Sequence, residues 1–377
     1  MKTTKLLQLA ARTAGGLVSL MAATSTFAAG WTLTDLGTVG GAASVADGIN
    51  GAGQVVGYAE AADGSPRAVI WTAGIATVLS PGLGRALAVN ASGVAAGSVL
   101  SADGTATDAA LLSPAGVYDV GTLGGSFAIV VGINDSGQFA GYSRRADGKD
   151  HAFLATAAGM ADLGTYGGDY SQAYAINNAG LVVGSAYDAA GKSRCFLSSG
   201  GGLVDPGTLG GTFCNAFAVN DSGQVTGSSA TAAGIGHAFV HDARGMVDLG
   251  TLGGSSSLGK AINRHGHVVG SARTAANQTH AFLHDGMAMT DLGTLGGTTS
   301  VATAVNALGQ VVGNSTIASG AKQPFFYAGG VMVNLNSVVP GLSNINADKL
   351  YLNDAGQIAG TGTIGGQQHA FVLTPIP

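Results

Sequence analysis

Residues 220–254 read NDSGQVTGSSATAAGIGHAFVHDARGMVDLGTLGG, and three marks within this stretch recur along the chain. In Asn220-Asp221-Ser222-Gly223, asparagine suits the opening of a type I turn and glycine its fourth position, where a positive φ meets no Cβ clash. A turn of this kind joins two strands. In the unit before, its flanks are Ala173-Tyr174-Ala175-Ile176 and Leu181-Val182-Val183-Gly184, short, apolar and bounded by turn residues. His237-Ala238-Phe239-Val240 supplies a third strand, Ala243-Arg244-Gly245 a turn, and Met246-Val247-Asp248-Leu249 a fourth strand. Gly250 to Gly254 then links to the next unit.

The pattern Asn-x-x-Gly-x-x-x-Gly begins at Asn50, Asn90, Asn134, Asn177, Asn220, Asn263, Asn306 and Asn353; from Asn90 to Asn306 the intervals are 44, 43, 43, 43 and 43 residues. The mark Asp-Leu-Gly-Thr-Leu-Gly-Gly or a variant starts at Asp35, Asp119, Asp162, Asp205, Asp248 and Asp291, with degenerate copies at Thr77 and Asn334. His-Ala-Phe stands at His151, His237, His280 and His369, with relatives at Arg67, Asp108, Arg194 and Gln323. Four strands in ~43 residues is the repeat length of a propeller blade. Apolar runs such as Val182-Val183 and Phe282-Leu283 lack strict alternation, as expected when both faces of a small sheet are covered. First strands such as Ala216-Phe217-Ala218-Val219 lean toward alanine, which suits a crowded position beside a central axis.

Trp31-Thr32-Leu33-Thr34-Asp35-Leu36 matches a fourth strand with no first three before it, while Leu350 to Asn353, Gln357 to Gly360 and His369 to Leu373 supply strands one to three with no fourth. The two ends complement each other. The expected fold is an all-β propeller of eight four-stranded blades, one domain over residues 31–377, closed by pairing of the N- and C-terminal strands. The alternatives are seven blades, if the glycine-poor unit around Thr77 to Leu112 is irregular, or an open β-solenoid, which needs polar caps.

Asp-Leu-Gly-Thr-Leu-Gly-Gly, the Ile-Asn-Asp-Ser-Gly-Gln turn and His-Ala-Phe, recurring in fixed order, resemble the HAF-type extracellular repeat family of bacterial secreted and surface proteins. The resemblance covers nearly all of residues 31–377 and implies export and a repeat scaffold, with no catalytic residues to carry over. Some members continue past a tail like Leu373-Thr374-Pro375-Ile376-Pro377 into a sorting signal; the sequence here ends first, so periplasmic or released protein is expected.

Residues 1–28 read as a secretory signal peptide, with Lys2, Lys5 and Arg12 before an apolar run from Gly15 to Ala23 and cleavage after Ala28. That run falls short of the ~20 residues that span a bilayer. The formal net charge is −5, and loss of the segment makes it more negative by its three cations, which disfavours a nucleic-acid partner. Glu60 is the sole glutamate, which removes glutamate-based paired-carboxylate catalysis and an H-E-x-x-H zinc site. The expected protein is a monomeric, non-catalytic binding or structural scaffold without cofactor, its partner an unidentified extracellular ligand, polymer or protein. The alternative is a hydrolase or lyase acting on an extracellular polymer, a reading that rests on fold analogy.

The recurring histidines and Asp248-type residues are expected to be structural, each histidine pinning its strand to a nearby turn or Asp. His265 and His267, with His284 and Asp285 and the preceding unit's His241 and Asp242, form a candidate surface zinc site. Cys195 and Cys214 lie in the third strand of one unit and near the first strand of the next, a placement that favours free buried thiols over a disulfide. Gly360 to Gly365 satisfies G-x-G-x-x-G but precedes a strand, and reads as a glycine-rich loop. Ligand contact is expected on the loops between second and third strands, such as Ser143 to Lys149 and Ala59 to Gly64, which vary most between units.

Overall fold

The computed structural model describes residues 30–376, so the expected export segment lies outside the described residues. Within them the chain is all-β apart from the four-residue helix Leu335–Val338, whose N-cap Asn334 accepts the Asn336 amide. No described helix is long and apolar enough to cross a membrane.

The unit of Asn220 shows how the marks become structure. Strands Gly210–Val219, Val225–Thr231, Gly236–Asp242 and Gly245–Asp248 pair in sequence order as one antiparallel sheet. Asn220 sits in the first turn: its carbonyl accepts the Gly223 amide at 3.0 Å and its Oδ1 accepts the amides of Ser222 and Gln224. Gly223 has φ +77°, the conformation for which the position selects glycine. The first strand begins earlier than expected, because it takes in the last two link glycines, Gly210 facing Thr231.

The other units repeat this plan with local departures. After Ser193–Ser198 the fourth strand shrinks to a bridge between Leu197 and Val204; Pro206, two residues on, has no amide to donate to a ladder. The degenerate mark at Thr77 is displaced by one residue, since Val78 faces Val69 as Asp248 faces Phe239. The Gly360–Gly365 run is no loop: it lies mostly in strand Ile358–Ile364, and a Cβ on Gly360 would sit 2.8 Å from the Phe371 ring.

Trp31–Asp35 pairs antiparallel with Gln367–Pro375, Leu33 opposite Leu373 and Asp35 opposite Phe371. The polar bonds at this junction copy those elsewhere. His369 Nδ1 meets Asp35 at 2.9 Å as His237 meets Asp248 at 2.8 Å, and Ala370 N donates to Ser44 Oγ at 2.9 Å as Ala238 N donates to Ser257 Oγ at 2.8 Å.

The turn asparagines bind the units together. Each is buried, and each Nδ2 donates to the carbonyl of the next turn asparagine at 2.8–3.2 Å, from Asn50 to Asn90 through to Asn306 to Asn353. The last bond of the series runs from Asn353 to Asn50 at 3.1 Å.

Seven first strands carry a β-bulge at one place, three residues before the asparagine: Asp47, Leu87, Val131, Tyr174, Phe217, Lys260 and Thr303 are the extra residues. The bulge draws the first strand onto the second, so that a Cβ on Gly227 would lie 1.9 Å from Asn215 O, and on Gly141 1.8 Å from Ile129 O. This contact explains the closing glycine of the eight-residue mark, for which the turn alone gives no reason. Beneath it the His-Ala-Phe aromatics Phe153, Phe196, Phe239, Phe282, Phe325 and Phe371 are fully buried, and paired valines such as Val182-Val183 are buried on both faces.

Cys195 and Cys214 form a disulfide, contrary to the expected free thiols: the third strand of one unit packs on the first strand of the next, with Cα atoms 4.8 Å apart. Sequence position alone had made that separation look too long.

Two outcomes follow for stability. Gly227→Ala loses about 1–3 kcal/mol by overpacking, while Gly51→Ala, whose Cβ meets nothing within 4 Å, stays near neutral in urea unfolding. Replacing both cysteines by alanine removes a crosslink over 19 residues of separation, which lowers stability by about 3 kcal/mol in the same measurement.

Candidate binding cavity at the irregular repeats

Two intervals depart from the common spacing, 40 residues from Asn50 to Asn90 and 47 from Asn306 to Asn353. In the Asn90 unit the first strand is Gly84–Val89, six residues, where neighbours such as Gly40–Ile49 and Gly124–Ile133 have ten. In the long strands the opening glycines lie against the end of the second strand, Gly124 opposite Arg145. Here Pro81 and Gly82 turn the chain aside, and Ser80 Oγ instead takes the Ala68 amide at 3.0 Å.

The omitted strand end leaves a cavity of 790 Å³, walled by Leu83, Leu87, Leu100, Phe127 and Ile129, with Tyr58, Arg85 and Lys349 as polar groups. Its rim exposes Leu83, Leu100 and Ile129 by 38–45%. A volume of this size lies within the ~300–1,000 Å³ range of small-molecule sites.

At its inner end Arg85 donates through Nε and Nη2 to both oxygens of Asp47, lies over the Tyr58 ring at 5.2 Å, and shares Asp47 with Lys349, whose Nζ is 3.7 Å away. The Asp47 side chain is 3% exposed, against 36% for Arg85 and 47% for Lys349. A carboxylate buried so deeply is tolerable only because both cations face it. Its hydrogen bonds raise the Arg85 pKa further, and burial pushes the Tyr351 hydroxyl up. Glu60, also on the wall, commits Oε2 to the amides of Ala42 and Ala43.

A second cavity of 450 Å³ is lined by bulge residues Asp47, Leu87, Val131 and Thr303. Leu87 and Lys349 line both cavities, so the ion cluster stands where they meet.

The sequence candidates fare differently. His265 and His267 have ring centres 6.1 Å apart, but Asp242 is held by Arg244 at 2.7 Å and Asp285 by the amides of Met287 and Ala288. Among the described residues, the candidates His241, His265, His267 and His284 included, no three His, Cys, Asp or Glu side chains are placed to hold a metal. Burial holds His241 and His284 below the usual histidine range. The recurrent His-Ala-Phe histidines do pin their strands: His151, His237, His280 and His369 bond Asp162, Asp248, Asp291 and Asp35, which also accept a glycine amide of the link. The variable loops lie beside the links as expected, but their charges are spent locally, Arg144 on Asp150 and Lys149 on Asp169.

In the Asn90 unit the histidine is replaced by Asp108, which faces Asp119. Burial, followed by the charges of Asp119 and Asp103, lifts the Asp108 carboxyl to about 6.

None of Asp47, Tyr58, Arg85 or Lys349 was picked out from the sequence. The legible signal was the pair of odd intervals flanking the Asn50 unit, together with charges where other first strands carry mostly neutral residues.

No known family profile and no curated protein matches the chain. Among solved structures it is similar to a prolyl endopeptidase chain at 13% identity and TM-score 0.50, over 85% of this chain and 54% of that one. It is similar to TolB from Acinetobacter baumannii at 10% identity and TM-score 0.42, over 64% of each chain. The β-propeller domain of the Trilobed protease from Pyrococcus furiosus matches at 9% identity and TM-score 0.42, over 64% of this chain and 81% of that one. The chain thus spans about two thirds of TolB and about half of the endopeptidase. Such identities speak to the fold alone, which is all-β with propeller-like neighbours.

Proposed function

We propose that the chain is an exported, non-catalytic binding scaffold, an eight-bladed β-propeller closed between its terminal strands, with ligand held in the cavity at the Asn50 and Asn90 units. The closed ring is supported by the pairing of Trp31–Asp35 with Gln367–Pro375 and by the Asn353 to Asn50 bond. In this reading the 450 Å³ cavity belongs to the axial channel and the 790 Å³ cavity to its mouth. Export is supported by the basic and apolar opening segment and by the Cys195–Cys214 disulfide. The three recurring marks support membership of the HAF-type extracellular repeats.

The observation that carries the binding reading is the 790 Å³ cavity, built by a shortened strand and floored by an ion cluster spanning three units. Screening the purified protein on a glycan and matrix-polymer array, with product analysis, tests it. Retention without cleavage, lost in Ile129→Trp, which fills the cavity, is the expected result; cleavage, or retention unaffected by the variant, overturns it.

A hydrolase or lyase acting on an extracellular polymer is the second reading, favoured by the Asp108 and Asp119 pair, since a carboxyl kept protonated near pH 6 is what a general acid requires. The pair also has a consequence for stability. The folded pKa of Asp108 stands above the ordinary 3.8, so its protonated form contributes stability below about pH 4 that is lost as pH rises through about 6. Thermal unfolding at pH 4.5 and 7.5 therefore shows a shift toward Asp108→Asn being the more stable protein as pH rises; a pH-independent difference contradicts the assignment.

A further inference from the structure

We infer that the cavity takes a ligand with one carboxylate on an apolar body, the carboxylate meeting Arg85 and Lys349 and the body lying against Leu83, Leu100 and Ile129. The inference rests on the binding reading above and names its ligand class.

Two cations at the inner end share one acid. Arg85 spends Nε and Nη2 on Asp47, which leaves Nη1 without a hydrogen-bond partner among the described residues, while Lys349 stands 3.7 Å from Asp47, beyond hydrogen-bond length. Asp47, 3% exposed, is not itself open to ligand, so what the cavity offers at this end is donors. The guanidinium is also positioned before any ligand arrives, gripped by Asp47 and stacked over Tyr58 at 5.2 Å, so little side-chain freedom is lost on binding. A carboxylate is the matching acceptor because it takes charge-assisted bonds from both donors at once.

The counter-charge on the wall is accounted for. Glu60 directs Oε2 to the amides of Ala42 and Ala43 at 3.3 and 3.2 Å. Asp348, beside Lys349, is taken by Lys322 at 3.0 Å and by Asn314 at 2.9 Å. Apart from Tyr58, Ser98 and Thr107 the remaining wall is apolar, with three large side chains partly exposed where a ligand body would cover them. A polyanion is disfavoured by Glu60 on the wall and by Asp348 next to Lys349 in the chain; a single carboxylate avoids them.

The chemistry has two sources, the free C-terminus of an apolar peptide or an alkyl carboxylic acid, and calorimetric titration separates them. The probes are N-acetyl-Phe-Leu with a free carboxylate, the same dipeptide as its amide, and decanoate. Saturable binding of at least one acid, weakened about tenfold or more in Lys349→Met and in Arg85→Met, is expected, with the amide weaker by a similar factor. Which acid binds tells peptide end from alkyl acid. Lys349 is 47% exposed and outside any strand, so its variant remains informative if Arg85→Met fails to fold. Equal affinity for acid and amide, no effect of Lys349→Met, or no binding of any probe overturns the inference. Array retention that Ile129→Trp abolishes would still stand in that case, and would leave the cavity as a site for another class of ligand.

Discussion

The turn asparagine is the joint on which the rest of this structure depends. One side chain does two tasks with opposite ends of its amide: Oδ1 closes its own turn by accepting the amides two and four residues on, and Nδ2 reaches the carbonyl of the next turn. Neither aspartate nor serine offers both an acceptor for the first and a donor for the second in this geometry. Since these groups are buried, an unmade bond carries the full desolvation cost, about 1–3 kcal/mol. The same amide therefore sets local turn shape and the spacing of units, which is why the mark recurs in every unit, even where the link and His-Ala-Phe marks decay.

The second constraint is the bulge. It places one extra side chain in each of seven first strands where neighbouring units converge, and the strand-two glycine is the space it requires. The frame leaves the identity of that side chain unconstrained: it is Leu87 or Val131 in some units, Tyr174 and Phe217 tilted against each other with ring centres 5.3 Å apart in others, and Asp47 in one. Backbone repetition thus generates a set of equivalent but chemically independent positions. Function enters at such positions, where side chains vary without disturbing the ladder that holds them.

Much of the fold was legible in the sequence because its marks are backbone devices. The Asn-x-x-Gly turn, the four short strands and the complementary termini follow from φ preference and apolar runs, and the third and fourth strands of the Asn220 unit lie within two residues of their expected limits, while the first starts six residues early. The bulge was not legible, since nothing in Ala-Phe-Ala-Val marks Phe217 as the extra residue; its trace was the strand-two glycine. The disulfide was misjudged because chain position was used in place of the distance between stacked sheets, which bring Cys195 and Cys214 to 4.8 Å. The histidines of the Asn263 unit drew attention by residue type, yet their neighbouring acids were already committed to turns.

What separates the cavity from the rest of the surface is the economy of charge. Elsewhere the described ion pairs either close within a few residues, as in Arg244 with Asp242 or Arg194 with Asp188, or join two units at the surface, as in Arg264 with Asp354 and Lys322 with Asp348, and such exposed pairs are each worth little. The Asp47 cluster breaks that habit: its three members come from three units, 38 residues apart on one side, and meet under cover. Burying an ion cluster brings no net stability over apolar residues of similar size, as Leu87 and Val131 at the equivalent bulge positions illustrate. A repeat that tolerates leucine or valine there has no structural need for aspartate. The cluster also occurs where one irregular unit, by losing residues, has opened a cavity, and another, by gaining them, supplies Lys349. Stability thus supplies no reason for the aspartate, whereas a positioned guanidinium at the inner end of an apolar cavity does.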